Sequence, residues 1–167
     1  PLVADKSRAD APRPFRLACI QLCTYDGTIY NVQKVLEKIG HLCDYVLWDE
    51  AWIGYNAFHP LFDNHSPMRL KDLGPAMAGL FSTQSLHKQG AGFSQASQIH
   101  KRYEHIRDQK RYINHKRFNE SFLMHASTSP FYPLFASLDV NARLHAGKAG
   151  EMLWDRCIEL GIETRKK

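Results

Sequence analysis

Two polar side chains in this sequence could do covalent and acid–base chemistry if the fold brings them together. Lys88 ends the segment Ser85-Leu86-His87-Lys88, and Asp49 directly follows the apolar run at 45–48. A lysine amine can hold an aldehyde as a Schiff base, and a carboxylate can keep a nearby heterocyclic nitrogen protonated. Taken alone, Asp49 is typical of a turn and Lys88 of a solvated surface charge. The functional interpretation of the pair is favoured only if both residues lie at strand ends on one edge of a sheet.

The first half of the chain has the pattern of a strand, a helix and a second strand. The apolar run Phe15–Leu22 predicts a strand, and the residues at 25–28 supply turn chemistry and a helix cap at Thr28. Apolar residues at helical spacing predict a helix over 29–41, and 45–48 predicts a buried strand. Such a unit favours an α/β protein with a parallel sheet and helices packed on it.

The later elements bring the candidate residues to one edge. A third strand at 80–83 would deliver Ser85, His87 and Lys88 to the edge where Asp49 lies, and ligands collect at the carboxyl ends of such strands. Residues 93–100 fit a fourth strand or, from their Ser and Gln content, a helix. Three helices are predicted beyond it, at 117–125, 131–145 and 150–160.

Composition limits the class of protein without identifying it. The 167 residues, 44% of them hydrophobic, suit one domain, and the start at Pro1 suggests a piece of something longer. A net charge of +5 attracts anions of any kind. With no apolar run long enough to span a membrane and no signal segment, the expectation is a soluble cytoplasmic protein.

The cysteines do not indicate a disulfide framework or a metal site. Four cysteines lie in or beside apolar stretches and are predicted to be reduced, buried thiols: Cys19, Cys23, Cys43 and Cys157. The spacing of Cys19 and Cys23 matches no standard zinc site, so no metal is predicted.

Three segments resemble one enzyme family. They are 45–58, which reads Tyr-Val-Leu-Trp-Asp-Glu-Ala-Trp-Ile-Gly-Tyr-Asn-Ala-Phe; 83–100, with Thr-Gln-Ser-Leu-His-Lys and Ser-Gln-Ala-Ser-Gln-Ile-His; and 122–141, with Met-His-Ala-Ser-Thr-Ser-Pro-Phe-Tyr-Pro. They are similar to the bacterial ornithine, lysine and arginine decarboxylases, and most similar to the ornithine branch. The resemblance implies pyridoxal 5'-phosphate as cofactor and the large domain of the aspartate aminotransferase fold type. It runs from about Arg13 to the C-terminus.

The resemblance also implies roles and boundaries. Lys88 would carry the cofactor, Asp49 would pair with its pyridinium nitrogen, and Ala51 would lie against the ring. Ser85 and His87 would hold the phosphate, and His87 could also transfer a proton beside the substrate. The implied organisation is an irregular leader at 1–14, the second half of the cofactor domain at 15–130 and a helical segment at 131–167.

Some implied roles extend to the periphery of the site or to a second chain. Thr128 and Ser129 resemble a loop that reaches a phosphate across a dimer interface, so the full-length protein is expected to be a homodimer or larger. Trp52 is placed in the cofactor pocket by the resemblance, although its helical spacing with Tyr55 and Phe58 favours a packing role.

The implied reaction is decarboxylation of a basic amino acid, with ornithine giving putrescine as the first choice. Three alternatives remain: lysine or arginine as substrate, an inert fragment of such an enzyme, and a nucleic-acid-binding module using the basic segment 100–117. A sheet of three or four strands would expose an edge and an apolar face. We therefore expect the isolated chain to be marginally stable or prone to aggregate.

Overall fold

A four-stranded sheet organises the chain. The structure is a computed structural model that describes residues 6–167. The strands are β1 (Phe15–Gln21), β2 (Cys43–Asp49), β3 (Gly79–Ser85) and β4 (Ser97–Arg102), and they lie side by side in that order. The first three run parallel and β4 runs antiparallel to β3. The predicted α/β fold with a mostly parallel sheet is confirmed.

Five α-helices accompany the sheet. They are α1 (Val32–Ile39), α2 (Leu86–Gln89), α3 (His115–Leu123), α4 (Tyr132–Leu144) and α5 (Gly147–Arg165). Short 3₁₀ segments at Gly54–Phe58 and Pro60–His65 fill the connection between β2 and β3. Since α2 follows β3 without a break, the segment that carries Lys88 starts directly at the edge of the sheet.

Alternating side chains of the strands form two apolar layers. On one side Val46, Trp48 and Leu80 pack in the same cluster as Val32 and Leu36 of α1, and all of them are buried. On the other side a smaller cluster contains four buried side chains: Tyr45, Phe81, Tyr103 and Ile106. Each fully buried large aliphatic side chain contributes about 1.5–3 kcal/mol, so these layers fix the register that places the strand ends.

Several boundaries differ from the predicted ones. Asn31, and not Thr28, caps α1, because the Asn31 side-chain oxygen accepts a hydrogen bond from the backbone N–H of Lys34 at 3.0 Å. Thr28 instead closes a turn, with its carbonyl accepting from the backbone N–H of Thr24 at 2.9 Å. The fourth strand starts at Ser97 and not at Phe93, since the Phe93 backbone N–H is held by the Ser137 hydroxyl of α4 at 3.0 Å.

The cysteines divide into two pairs. Cys23 and Cys43 are buried, but Cys19 and Cys157 are exposed, and all four are free thiols. The prediction of burial is therefore wrong for Cys19, which lies on the outer strand β1, and for Cys157 on α5. An apolar neighbourhood in sequence does not bury a residue on an element that has neighbours on one side only.

The leader and the helices add two observations. Part of the predicted leader, residues 1–5, lies outside the described residues, while Arg8 Nη2 contacts Asp44 Oδ2 at 2.8 Å and joins the later part of the leader to β2.

None of the helices within 6–167 is both long and apolar enough to cross a bilayer. The predicted domain boundaries and the predicted compartment stay predictions.

Candidate functional site

Asp49 lies at the carboxyl end of β2, where the chain turns. One of its carboxylate oxygens, Oδ1, accepts a hydrogen bond from the backbone N–H of Ala51 at 3.0 Å, which fixes the carboxylate within the turn. The next backbone N–H, that of Glu50, donates to the Thr83 carbonyl of β3 at 2.8 Å. The turn is therefore attached to β3 while the Asp49 side chain remains exposed.

A cavity of about 410 Å³ opens at this edge. Its lining includes three residues of the predicted site, Asp49, Ala51 and Ser85. Sequence reasoning missed the remaining lining residues, which are Thr83, Gln84, Ser97, Gln98, Ile99 and Phe122. Ser97 and Gln98 belong to the quoted Ser-Gln-Ala-Ser-Gln-Ile-His segment, so the signal was present, but only the antiparallel pairing of Ser85 with Ser97 brings them here.

Lys88 follows Ser85 by three residues but is not among the residues that line that cavity. It is exposed on α2, and its Nζ atom lies 4.4 Å from the centre of the Trp52 ring. A cation over an aromatic face is attracted by the ring quadrupole. Because Trp52 follows Asp49 by three positions in the same turn, this contact brings the amine to the turn that carries the acid.

His87 and Ser85 frame the start of α2. The His87 Nδ1 atom is 2.9 Å from the Ala96 carbonyl oxygen. A carbonyl can only accept, so Nδ1 carries the proton in this contact, and in the neutral ring Nε2 is left with a lone pair. His87 thus has a structural partner on one nitrogen, while the other nitrogen remains available for the predicted proton transfer.

The loop after Lys88 is held by helix α4. The backbone N–H of Ala91 donates to Asn141 Oδ1 at 2.8 Å, and the N–H of Phe93 donates to the Ser137 hydroxyl at 3.0 Å. Both acceptor residues are buried. These contacts limit where α2, and with it Lys88, can move.

The two aromatic residues that follow Trp52 at helical spacing pack against the C-terminal helices. Tyr55 stacks on Trp154 with ring centres 4.5 Å apart, and Phe58 stacks on His145 at 4.6 Å. The packing role is therefore confirmed for Tyr55 and Phe58. Trp52 differs, because it forms an edge contact with Tyr25 at 4.9 Å and lies beneath the Lys88 amine.

Thr128 and Ser129 do not reach the cavity within this chain. They are exposed in the loop between α3 and α4, and neither is among the residues that line the cavity. The role across a dimer interface stays a prediction.

Part of the basic segment 100–117 is used in internal contacts. The Arg102 guanidinium donates to the carbonyls of Pro67, Met68 and Leu70, and the Arg111 guanidinium donates to those of Asp44, Pro75 and Met77. Tyr103 is only 3% exposed and cannot stack on a base. Two basic residues of the segment, Arg102 and Arg111, and the ring of Tyr103 are therefore used in internal contacts, whereas Arg107, Lys110, Lys116 and Arg117 are exposed.

The sequence profile described as "Orn/Lys/Arg decarboxylase, major domain" matches residues 2–167. The chain belongs to this family. The chain is 59% identical over 159 residues to the constitutive ornithine decarboxylase of Escherichia coli, and 61% identical over 154 residues to the ornithine decarboxylase of Haemophilus influenzae. These alignments cover 95% and 92% of the chain but only 22% and 21% of the two relatives.

Solved structures of the Orn/Lys/Arg decarboxylase family share the fold. The lysine decarboxylase of Francisella novicida superposes with a TM-score of 0.76 at 36% identity, over 90% of this chain and 19% of that one. The constitutive lysine decarboxylase of E. coli gives the same TM-score at 35% identity, again over 90% of this chain and 19% of that one. The chain thus spans about a fifth of the length of the relatives it matches.

The residues present are compatible with pyridoxal phosphate. An exposed carboxylate at Asp49, a small residue at Ala51 and the hydroxyl of Ser85 line one cavity, and the Lys88 amine lies 4.4 Å from the ring centre of Trp52, three residues after Asp49. This set could supply an acid for the ring nitrogen, space for a ring face, a hydrogen-bond donor for a phosphate and an amine for an aldehyde.

Proposed function

We propose that the full-length protein is a pyridoxal-phosphate-dependent decarboxylase of a basic amino acid, with ornithine as the first-choice substrate and putrescine as the product. The observation that supports this proposal is that the Lys88 amine lies 4.4 Å from the centre of the ring of Trp52, which follows Asp49 by three residues. The preference for ornithine rests on the relatives that are about 60% identical, both of which are named as ornithine decarboxylases. Relatives named as lysine or arginine decarboxylases are 36–38% identical.

The bound cofactor would supply an electron sink for the pair of electrons left when carbon dioxide departs. Asp49 would hold a proton at the ring nitrogen, because its carboxylate stabilises a positive charge there. Ala51 leaves room beside the ring, Ser85 donates to the phosphate, and Lys88 tethers the group. The contact of His87 Nδ1 with the Ala96 carbonyl supports Nε2 as the atom that would exchange a proton with the substrate.

The proposed assembly is at least a homodimer. Thr128 and Ser129 are exposed and are not among the residues that line the cavity, and we propose that they contact the phosphate in the site of a partner chain. Lysine and arginine remain the runner-up substrates, because no residue that lines the cavity identifies the distal group of the substrate.

The test uses the full-length protein and a matched pair of lysines. Lys101 Nζ lies 4.4 Å from the Phe118 ring centre, the same distance that separates Lys88 from Trp52, but Lys101 lies on β4 beside His115 and not in the segment that follows β3. After incubation with pyridoxal phosphate, borohydride reduction and peptide mapping, we expect modification at Lys88 and none at Lys101. Scattered modification would instead favour an inert remnant of the family.

Activity variants complete the test. Carbon dioxide release is measured with ornithine, lysine and arginine, and we expect the highest kcat/KM with ornithine. Lys88→Arg should abolish turnover, whereas Lys101→Arg should not change it. Asp49→Ala should retain cofactor but lose turnover by about 100-fold or more. Near-normal turnover in Asp49→Ala would contradict the assignment of the acid.

A further inference from the structure

Glu50 is a buried carboxyl directly beside the exposed Asp49. Its side chain is 0% exposed, although it belongs to the turn at the rim of the cavity. Burial raises the pKa of Glu50 despite hydrogen bonds that act in the opposite direction. Burying a carboxyl lowers the stability of the folded state, and an apolar side chain of the same volume would avoid this loss. We therefore expect Glu50 to have a specific role at this position.

The partners of Glu50 are neutral hydrogen-bond donors. The Oε1 atom accepts from Asn56 Nδ2 at 3.0 Å, and Oε2 accepts from Gln84 Nε2 at 2.7 Å and from the Ser82 hydroxyl. Within residues 6–167, no lysine, arginine or histidine forms an ion pair with this carboxyl. The contacts are therefore directional hydrogen bonds that fix geometry, and they do not neutralise a charge.

These bonds connect the elements beneath the cavity. Ser82 and Gln84 belong to β3, which leads into α2 and Lys88, whereas Glu50 belongs to the turn after β2. Gln84 continues the connection, because its Oε1 atom accepts from Gln98 Nε2 of β4 at 3.0 Å. Gln84 and Gln98 both line the cavity. A substitution at Glu50 would therefore alter contacts between the turn after β2 and β3 and, through Gln84, contacts with β4.

We propose that Glu50 is a positioning residue that sets the spacing between the turn bearing Asp49 and the end of β3 that leads to Lys88. This inference rests on the proposed function, because the spacing matters only if the acid and the amine act on one bound group. Glu50 does not itself touch that group. It acts through Ser82 and Gln84, which hold β3 against the turn.

The test variant is Glu50→Gln, made in the full-length protein. A glutamine has one accepting oxygen where the carboxylate has two, while all the partners of Glu50 are donors. Either Asn56 or the Gln84 amide must then face an NH₂ group, so at least one bond is lost without a change in volume. Ser82→Ala is the second variant, because it removes one donor and leaves the carboxyl in place.

The matched control is Tyr45→Phe, at the other end of the same strand. The Tyr45 hydroxyl donates to the Arg111 carbonyl at 2.6 Å and accepts from the Ile113 backbone N–H at 3.0 Å. Its loss should lower Tm without affecting the rim. Each protein is measured for hydrogen exchange at the Glu50 and Ala51 amides without cofactor, for pyridoxal phosphate affinity by absorbance titration, and for kcat and KM.

We expect Glu50→Gln to speed exchange at both amides, to weaken cofactor binding by about ten-fold and to lower kcat more than it changes KM. Ser82→Ala should give a smaller change in the same direction, and Tyr45→Phe should give only a lower Tm. If both rim variants behave like Tyr45→Phe, Glu50 is only structural and the inference is overturned. If the parent protein fails to bind pyridoxal phosphate at Lys88, the proposed function fails instead, and the exchange data still decide whether Glu50 fixes the turn.

Discussion

Asp49 and Glu50 are adjacent carboxylates in opposite environments, and the contrast assigns them different roles. Asp49 is exposed at the cavity and can meet a charged ring, whereas Glu50 is enclosed by Asn56, Ser82 and Gln84. Two neighbouring acids differ in this way because successive side chains at a strand end point to opposite sides of the backbone.

The pH dependence of stability should report the buried acid. Burial holds the pKa of Glu50 above the 4.5 typical of a free glutamate, so the folded state favours the protonated form. The stabilisation is then complete below that value and is lost as the pH rises through the raised pKa. We expect the difference in Tm between the parent protein and Glu50→Gln to fall as the pH rises above about 4.5 and through the raised pKa of Glu50, because glutamine does not titrate.

The control for this trend is Glu37→Gln. Glu37 is exposed on α1 and accepts only from Gln33 Nε2 at 3.2 Å, so its removal should leave the pH profile unchanged. His100 contacts Gln84 at 3.0 Å and burial lowers its pKa, but His100 is present in every variant and cancels in the difference. If plots of Tm against pH run parallel for the parent and Glu50→Gln, the prediction is contradicted.

At the scale of elements, the close approach of α4 to the loop after Lys88 should be sensitive to one methyl group. A Cβ at Gly90 would lie 2.7 Å from Asn141 Oδ1 and 2.9 Å from the Leu86 carbonyl oxygen. The carbonyl belongs to the backbone of α2 and cannot rotate away. Gly90→Ala should therefore cost about 1–3 kcal/mol of stability, measured by thermal unfolding, and should slow cofactor attachment at Lys88.

Gly74→Ala is the matched control for that substitution. A Cβ at Gly74 would meet nothing within 4 Å, so this variant should melt and bind cofactor like the parent. Equal Tm values for the two glycine variants would show that α4 does not restrain the loop.

The elements predicted from sequence are those whose pattern is local. The strands that carry Trp48 and Leu80 are apolar runs with turn signals, and helix α1 has a regular apolar face, so their existence follows from the chain alone. The start of β4 does not, because it depends on Ser137 of α4 holding the Phe93 backbone. The same limit applies to the site: Asp49 and Lys88 could be predicted at strand ends, but Gln98 reaches the cavity only through antiparallel pairing with Gln84.

At the scale of the whole molecule, the C-terminal helices present a large unpartnered apolar surface. Exposed side chains on α3–α5 and their loops include Phe122 (57%), Met124 (84%), Phe131 (64%), Tyr132 (76%) and Met152 (69%). Large apolar side chains exposed in this number on three consecutive helices favour a surface that is covered by other protein. This agrees with a chain that spans about a fifth of its relatives' length, in which such a surface would contact other parts of the protein or a partner chain.

The isolated 167-residue chain should therefore associate reversibly or aggregate with rising concentration. Light scattering coupled to size exclusion measures this, and the double variant Phe131→Ser with Met152→Ser should shift association to at least about ten-fold higher concentration, because each large apolar side chain kept from water contributes about 1.5–3 kcal/mol. The control, Lys34→Ser with Glu37→Ser, changes two exposed polar positions on α1 and should have no such effect. A monomer with a sharp cooperative melt at high concentration would show that the apolar helices need no partner.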